Sequence, residues 1–241
     1  LFPTGGLVRG TSLFKPEEVQ FCAPVPRPPK IICVGLNYRD HAAETNQPLP
    51  KTPVLFNKYA RAVIGPQEPI VLPQVSEQVD YEAELAVVIG RKAHRVKSTQ
   101  ALNYVFGYTC GNDVSARDQQ KKDGQWMRAK GHDTFCPVGP WIETDVDPSG
   151  LDLRTEVIHR AEDGSVGEIE VRQNSNTALL LHDVGAIIEW VSAVMTLLPG
   201  DVIATGPPKG VGIGFDPPRF LAPGDIVEIT ITGLGTQTNR V

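Results

Sequence analysis

Asp80-Tyr81-Glu82-Ala83-Glu84-Leu85-Ala86-Val87-Val88-Ile89-Gly90 decides how the rest of the chain is read. Leu85 to Ile89 is apolar and largely β-branched and stops at Gly90, which predicts a buried strand. Successive side chains of a strand alternate between faces, so Glu82 and Glu84 present two carboxylates side by side. Crowded carboxylates repel, and either protonation of one or a bound cation removes that cost. Hard divalent cations take oxygen ligands, which makes a metal the sharper reading. A strand end with both carboxylates in water is the commoner fate of an isolated Glu-x-Glu. Other parts of the chain have to decide.

Upstream, Ile31-Ile32-Cys33-Val34-Gly35 is a second short apolar strand. Asn37 is placed to cap a short helix over residues 38–45, which the proline-rich stretch Gln47 to Pro53 ends. His41 and Glu44 are three apart in that helix and share a face. A helical His-x-x-Glu is usually a surface pair, but this one lies between a buried strand and a proline-rich loop and resembles a mobile lid. Val54-Leu55-Phe56 and Ile70-Val71-Leu72 are further strand candidates. Downstream, Tyr104 to Cys110 runs as a strand into Gly111-Asn112-Asp113, so Asp113 sits where the strand gives way. Ser115 is a candidate N-cap for a helix to Lys122, stopped by Asp123-Gly124. Lys130 follows Trp126 in an irregular stretch, and its ordinary reading is a solvated lysine.

The second half is rich in strands. Leu153 to Arg160 and Gly167 to Arg172 flank Glu162-Asp163-Gly164, a hairpin signal. Val184, Ile187, Ile188, Val191, Met195 and Leu198 fall at helical spacing, with Asp183 as the cap and Pro199-Gly200 as the stop. Pro199-Gly200-Asp201 and Pro223-Gly224-Asp225 are matching turns, each launching a β-branched strand. The glycine-rich bend Thr205 to Gly212 lacks the order of a P-loop. Many short strands, few helices and frequent Pro/Gly turns predict an α+β, β-rich fold rather than a doubly wound sheet.

The chain has 241 residues, a formal net charge of -5 and a pI near 5.6. That balance argues against a nucleic-acid partner. No apolar run reaches the length of a membrane span, so no membrane partner is expected. No secretory signal is visible, and the expected compartment is the cytoplasm, or the mitochondrion if a targeting segment precedes Leu1. Cys22, Cys33, Cys110 and Cys136 lie far apart with no Cys-x-x-Cys spacing, which reads as buried reduced thiols. Residues 1–30 hold six prolines and read as a lead-in segment ahead of one domain over 31–241.

Five ordered motifs then carry a resemblance. They are Gly35-Leu36-Asn37-Tyr38 with His41 and Glu44; Asp80-Tyr81-Glu82-Ala83-Glu84; Asn112-Asp113-Val114-Ser115-Ala116-Arg117-Asp118; Lys130 before Asp133-Thr134-Phe135; and Pro199-Gly200-Asp201 leading to Thr205-Gly206. From about Lys30 to Val241 the chain resembles the fumarylacetoacetate hydrolase family, in particular its domain-containing type-2 branch and the 2-hydroxyhepta-2,4-diene-1,7-dioate isomerase-like proteins. The resemblance implies a mixed β-sandwich roll with few helices, a homodimer, and residues 1–30 as the remnant of a small N-terminal region. It also implies Mg²⁺ or Mn²⁺, with Ca²⁺ a third option, held by Glu82, Glu84 and Asp113. His41 oriented by Glu44, together with Lys130, would be catalytic; Arg117, Gln120 and Thr205 would contact substrate. The sequence departs from the family at His132, where relatives often have phenylalanine, and at Pro207, where many have threonine.

The implied substrate is a small 2-oxo (di)carboxylic acid that passes through a metal-stabilised enolate. Tautomerisation, isomerisation or decarboxylation, for example of oxaloacetate or 2-hydroxyhepta-2,4-diene-1,7-dioate, stands ahead of C–C hydrolysis of acylpyruvates or fumarylacetoacetate-like diketo acids. A glycoside hydrolase would set its carboxylates across a substrate rather than side by side, and 7% aromatic residues supply few sugar platforms. A non-catalytic, metal-stabilised binding protein is the remaining alternative. The presence of both His41 and Glu44 favours an enzyme.

Overall fold

The computed structural model describes residues 19–160 and 165–241. In chain order the first strands are β1 (Ile31–Gly35), β2 (Val54–Lys58), β3 (Val63–Ile64), β4 (Val79–Asp80) and β5 (Ala83–Ile89). Then come β6 (Val105–Asn112), β7 (Ser115–Ala116), β8 (Cys136–Glu143), β9 (Asp152–Arg160) and β10 (Val166–Asn176). The last are β11 (Val202–Ala204), β12 (Ile226–Ile231) and β13 (Gly235–Arg240). The α-helices are short: α1 (Arg39–Glu44), α2 (Ser98–Ala101), α3 (Arg117–Asp123), α4 (Met127–Lys130) and α5 (Val184–Val194).

β5 is buried along its whole length, which explains why its sequence is a continuous apolar run instead of an alternation. Leu85, Val87 and Ile89 point into the main core, where Val157, Ile229 and Ile231 of the second sheet and Ile187 and Ile188 of α5 meet them. Ala86 and Val88 point the other way, onto Val202, Val25 and Ile142. Each Leu, Val or Ile taken fully out of water contributes ~1.5–3 kcal/mol. Around β5 a mixed seven-stranded sheet forms in the order β2-β1-β11-β5-β6-β8-β3. Only β1/β11 and β3/β8 are parallel in it. An antiparallel sheet, β10-β9-β12-β13, packs against its inner face, and β4-β7 forms a small ribbon beside the start of β5. The fold is α+β and strand-rich, as expected.

The matching Pro-Gly-Asp turns are built alike. Gly200 and Gly224 take φ of 88° and 93°, a left-handed conformation that glycine adopts without strain. Asp201 Oδ2 accepts from the Leu198 amide at 2.7 Å, and Asp225 Oδ2 from the Ala222 amide at 2.8 Å. β11 and β12 leave these two turns.

Local expectations need correcting in several places. Residues 70–72 form no strand: Ile70 donates its amide to Arg240 O and Val71 to Thr134 Oγ1, while the flanking Pro69 and Pro73 have no amide to give. Asn37 does not cap α1, which starts after Tyr38. Its amide bridges to His182 O and Thr205 O, and its Oδ1 accepts from the His182 amide. Ser115 lies in β7 and caps nothing; α3 begins at Arg117 and closes on Gly124, whose φ is 69°. α5 carries the expected Asp183 cap but ends at Val194, because Met195 turns extended and Leu197 pairs with Ala93. Leu198 is exposed. Cys22 is exposed, whereas Cys33, Cys110 and Cys136 are buried thiols. The Glu162-Asp163-Gly164 turn lies outside the described residues, though β9 and β10 do pair antiparallel on either side of it. No helix among the described residues is long and apolar enough to cross a membrane.

Candidate active site

The entry to β5, the end of β6 and the end of α4 converge on one buried cluster of charges. Register fixes the first two. Ala83 pairs with Asn112 and Glu84 with Gly111, and the Asp113 amide donates to Glu82 O at 2.9 Å. Glu82 and Glu84 are 3% and 0% exposed, which overturns the water-facing alternative for Glu-x-Glu. Lys130 is no solvated lysine either: it is 2% exposed and its ammonium lies among the carboxylates. Its Nζ donates to Glu82 Oε2 at 2.7 Å, to Asp113 Oδ2 at 2.6 Å and to Ser115 Oγ at 2.8 Å. All three of its N–H bonds are thereby used.

Sequence reasoning missed two members of this cluster. Lys58, at the end of β2, donates to Asp113 Oδ1 at 2.5 Å and to Val114 O at 2.9 Å. Asp80 accepts from Arg117 Nε at 2.8 Å and from the amides of Tyr81, Gly212 and Ile213. Asp80 thus ties the start of α3 to the glycine-rich bend. Nothing in the local pattern separates Lys58 from a surface lysine. Asp80 stood inside a quoted motif, and only its burial reveals its role.

The electrostatics follow from burial and neighbours. Burial pushes the Glu82 carboxyl up, but Lys130 and Arg117 outweigh it and hold the pKa at about 2. Burial, with Asp113 and Glu82 beside it, pushes Glu84 well above the usual carboxylate range. Lys130 is lowered by burial but raised more by Asp113 and Glu82, so it stays an ammonium. Glu84 Oε2 accepts from the Gly206 amide at 2.7 Å, while Glu84 Oε1 is buried with no hydrogen-bond donor among the described residues. One oxygen from each of Glu82, Glu84 and Asp113 lies within 4.8 Å of the others. Buried oxygens crowded this closely, one of them orphaned, are the donor set a hard divalent cation takes, so the residues fit such an ion.

Beside the cluster opens a cleft of about 450 Å³ lined by His41, Glu82, Arg117 and Lys130 together with Phe56 and Trp126. His41 lies on α1 and meets Glu44 at 2.8 Å through Nδ1. Glu44 is itself fixed by the Gly210 amide, which donates to Oε2 at 2.8 Å. The Nδ1–H tautomer that donates to Glu44 leaves Nε2 as the proton acceptor. Arg117 places Nη2 2.7 Å from Glu82 Oε1 and donates from Nη1 to Gln120 Oε1 at 3.0 Å.

A model of the fumarylacetoacetate (FAA) hydrolase C-terminal domain matches residues 30–241. The chain belongs to the fumarylacetoacetate hydrolase family. It is 47% identical over 230 residues to a mitochondrial oxaloacetate tautomerase of Xenopus laevis, covering 93% of this chain and 69% of that one. Among solved structures it resembles a 2-hydroxyhepta-2,4-diene-1,7-dioate isomerase from Mycobacterium marinum, with 53% identity and a TM-score of 0.79. That match covers 93% of this chain and 78% of the other. A 5-carboxymethyl-2-hydroxymuconate delta-isomerase from Mycobacterium smegmatis matches at 54% identity and a TM-score of 0.81, covering 95% and 84%. The chain is therefore an enzyme of this family.

Within the family member the remaining candidates separate. Gln120 and Pro207 line the cleft. Thr205 gives its hydroxyl to Leu85 O at 3.0 Å and is fully buried, so it braces β11 against β5. His132 turns to Gln119 Oε1 at 2.9 Å and packs on Phe135, with burial and the nearby Arg128 and Lys58 lowering its pKa. It does not line the cleft.

Proposed function

We propose that this enzyme moves a proton within a small 2-oxo dicarboxylic acid, interconverting keto and enol or double-bond isomers, at a divalent cation held by Glu82, Glu84 and Asp113. One observation carries the reading: the orphaned Glu84 Oε1 and the anchored His41–Glu44 pair belong to adjoining parts of one site. A divalent cation bound there supplies Lewis-acid stabilisation of the negative charge that develops on a 2-oxo group. His41 Nε2 takes the proton from the carbon next to that group and returns it to oxygen or to a more distant carbon, with Glu44 stabilising the imidazolium in between. Lys130, its N–H bonds fixed in direction, adds positive potential without having to reorganise. Arg117, buried and held by Asp80, Glu82 and Gln120, lines the cleft and adds positive charge beside a substrate carboxylate. The tautomerase and isomerases to which the chain is similar support proton transfer over bond cleavage.

The test is a direct assay of the purified protein with Mg²⁺, Mn²⁺ or EDTA, following the enol absorbance of oxaloacetate and acetylpyruvate with pyruvate measured in parallel. Metal-dependent loss of the enol signal without pyruvate is expected. Pyruvate release would replace the reading with decarboxylation or hydrolysis, and metal-independence would remove the cation. His41→Ala should lower kcat by ~10²–10⁴-fold while leaving metal affinity unchanged.

A further inference from the structure

The cleft carries an aromatic surface that proton transfer on a small acid does not use. Trp126 is seated flush on Gly35: a Cβ at Gly35 would lie 2.5 Å from Trp126 Cζ3 and 2.9 Å from Cη2. The Trp126 ring meets Phe56 edge to face, with centroids 5.1 Å apart and planes at 76°. Phe56 in turn has Lys130 Nζ 4.9 Å from its ring centroid. Lys130, Phe56 and Trp126 therefore form a continuous path from the charged cluster along the cleft. Both rings line the cleft and are only half-buried. Leaving part of two aromatic rings beside water is unfavourable, and a ligand that covers the exposed part recovers that energy. The cleft, about 450 Å³, is several times larger than a four-carbon diacid. It falls within the ~300–1,000 Å³ typical of ligand pockets.

We propose that Trp126, seated on Gly35 and edged by Phe56, is the specificity-determining residue of this cleft and selects substrates whose carbon chain continues as a planar, conjugated tail beyond the 2-oxo acid head. The proposal rests on the reading of the site as one for 2-oxo dicarboxylates. A flat conjugated chain offers a π-face to the indole, whereas the short chain of oxaloacetate ends near the charged cluster and leaves Trp126 uncovered. Gly35 sets the depth of this wall, because any side chain there must lift the indole into the cleft.

The experiment compares oxaloacetate with 2-hydroxyhepta-2,4-diene-1,7-dioate in the Mg²⁺-loaded enzyme and its Trp126→Ala, Trp126→Phe and Gly35→Ala variants. Trp126→Ala should raise KM for the diene-dioate about tenfold and change KM for oxaloacetate by no more than about twofold. Trp126→Phe should restore most of the difference, and Gly35→Ala should reproduce it with the tryptophan still present. Equal changes for both substrates would overturn the proposal. A second readout needs no turnover. The chain has three tryptophans, so quenching by muconate, a conjugated diacid, should be seen in the wild type and lost in Trp126→Phe, with succinate quenching neither. Undiminished muconate quenching in Trp126→Phe also overturns the proposal. Failure of the wild type to turn over either substrate refutes the activity, and the muconate result still decides on Trp126.

Discussion

Two ionic networks among the described residues both join carboxylates to basic side chains, and they differ in how far water reaches them. The first joins Asp80, Glu82 and Asp113 to Lys58, Arg117 and Lys130 at the mouth of β5, with every side chain buried. The second joins Glu170 and Asp225 to His159, Arg172 and Arg219 on the outer sheet. There Arg219 is 48% exposed, and both arginines sit over the Phe215 ring. Similar contact distances therefore carry different energies. Water reaches the outer network through Arg219, His159 and Glu170, although Arg172 and Asp225 are buried, so the pairs on its exposed side are worth little. In the inner one each charge has lost its water, and removing a single partner strands the rest.

Breaking the inner network should give the largest effect. Lys130→Met leaves Glu82 and Asp113 short of a cation and should cost ~3–5 kcal/mol in the metal-free protein, read as a lower urea midpoint. Added Mg²⁺ should recover part of that loss. A result within error of the wild type would mean that the ammonium is not what balances these carboxylates.

A middle-sized effect of opposite sign is expected at Glu84. Its folded-state pKa is raised, so its ionisation costs stability as pH rises above the ordinary value of 4.5. Glu84→Gln should stabilise the metal-free protein at neutral pH by about 1–3 kcal/mol. It should also abolish the thermal shift on adding Mg²⁺. Glu82 has the other sign. Held at about 2, it adds stability above pH 4.5 that is lost as the pH falls towards 2, so acid unfolding of the metal-free protein should sharpen over that window.

The smallest effect belongs to the outer network. Arg219→Ala removes the ion pair to Glu170 and the contact with Phe215 and should cost no more than ~1 kcal/mol, less in high salt. A loss as large as that of Lys130→Met would erase the contrast between the two networks.

The sequence made the inner network half legible. Alternation put Glu82 and Glu84 on one face, and the strand ending at Asn112 put Asp113 at a junction; the paired strands bring all three together. Helical spacing joined His41 to Glu44. Lys130 could be placed only by resemblance, because its partners stand 17 and 48 residues away and its own stretch has no period. Lys58 gave no signal at all. Asn37 and Ser115 stand where helix caps are expected and cap neither helix for the same reason: their side chains bond to distant residues or buried groups in preference to the nearest helix.

What the sequence determined by itself is the set of apolar runs, turns and caps that make β5, α5 and the two Pro-Gly-Asp turns, since each depends on neighbours a few residues away. What the tertiary structure alone decided is which charges lose their water and which groups meet them there. Desolvation depends on every element packed around a group, and no local spacing records it.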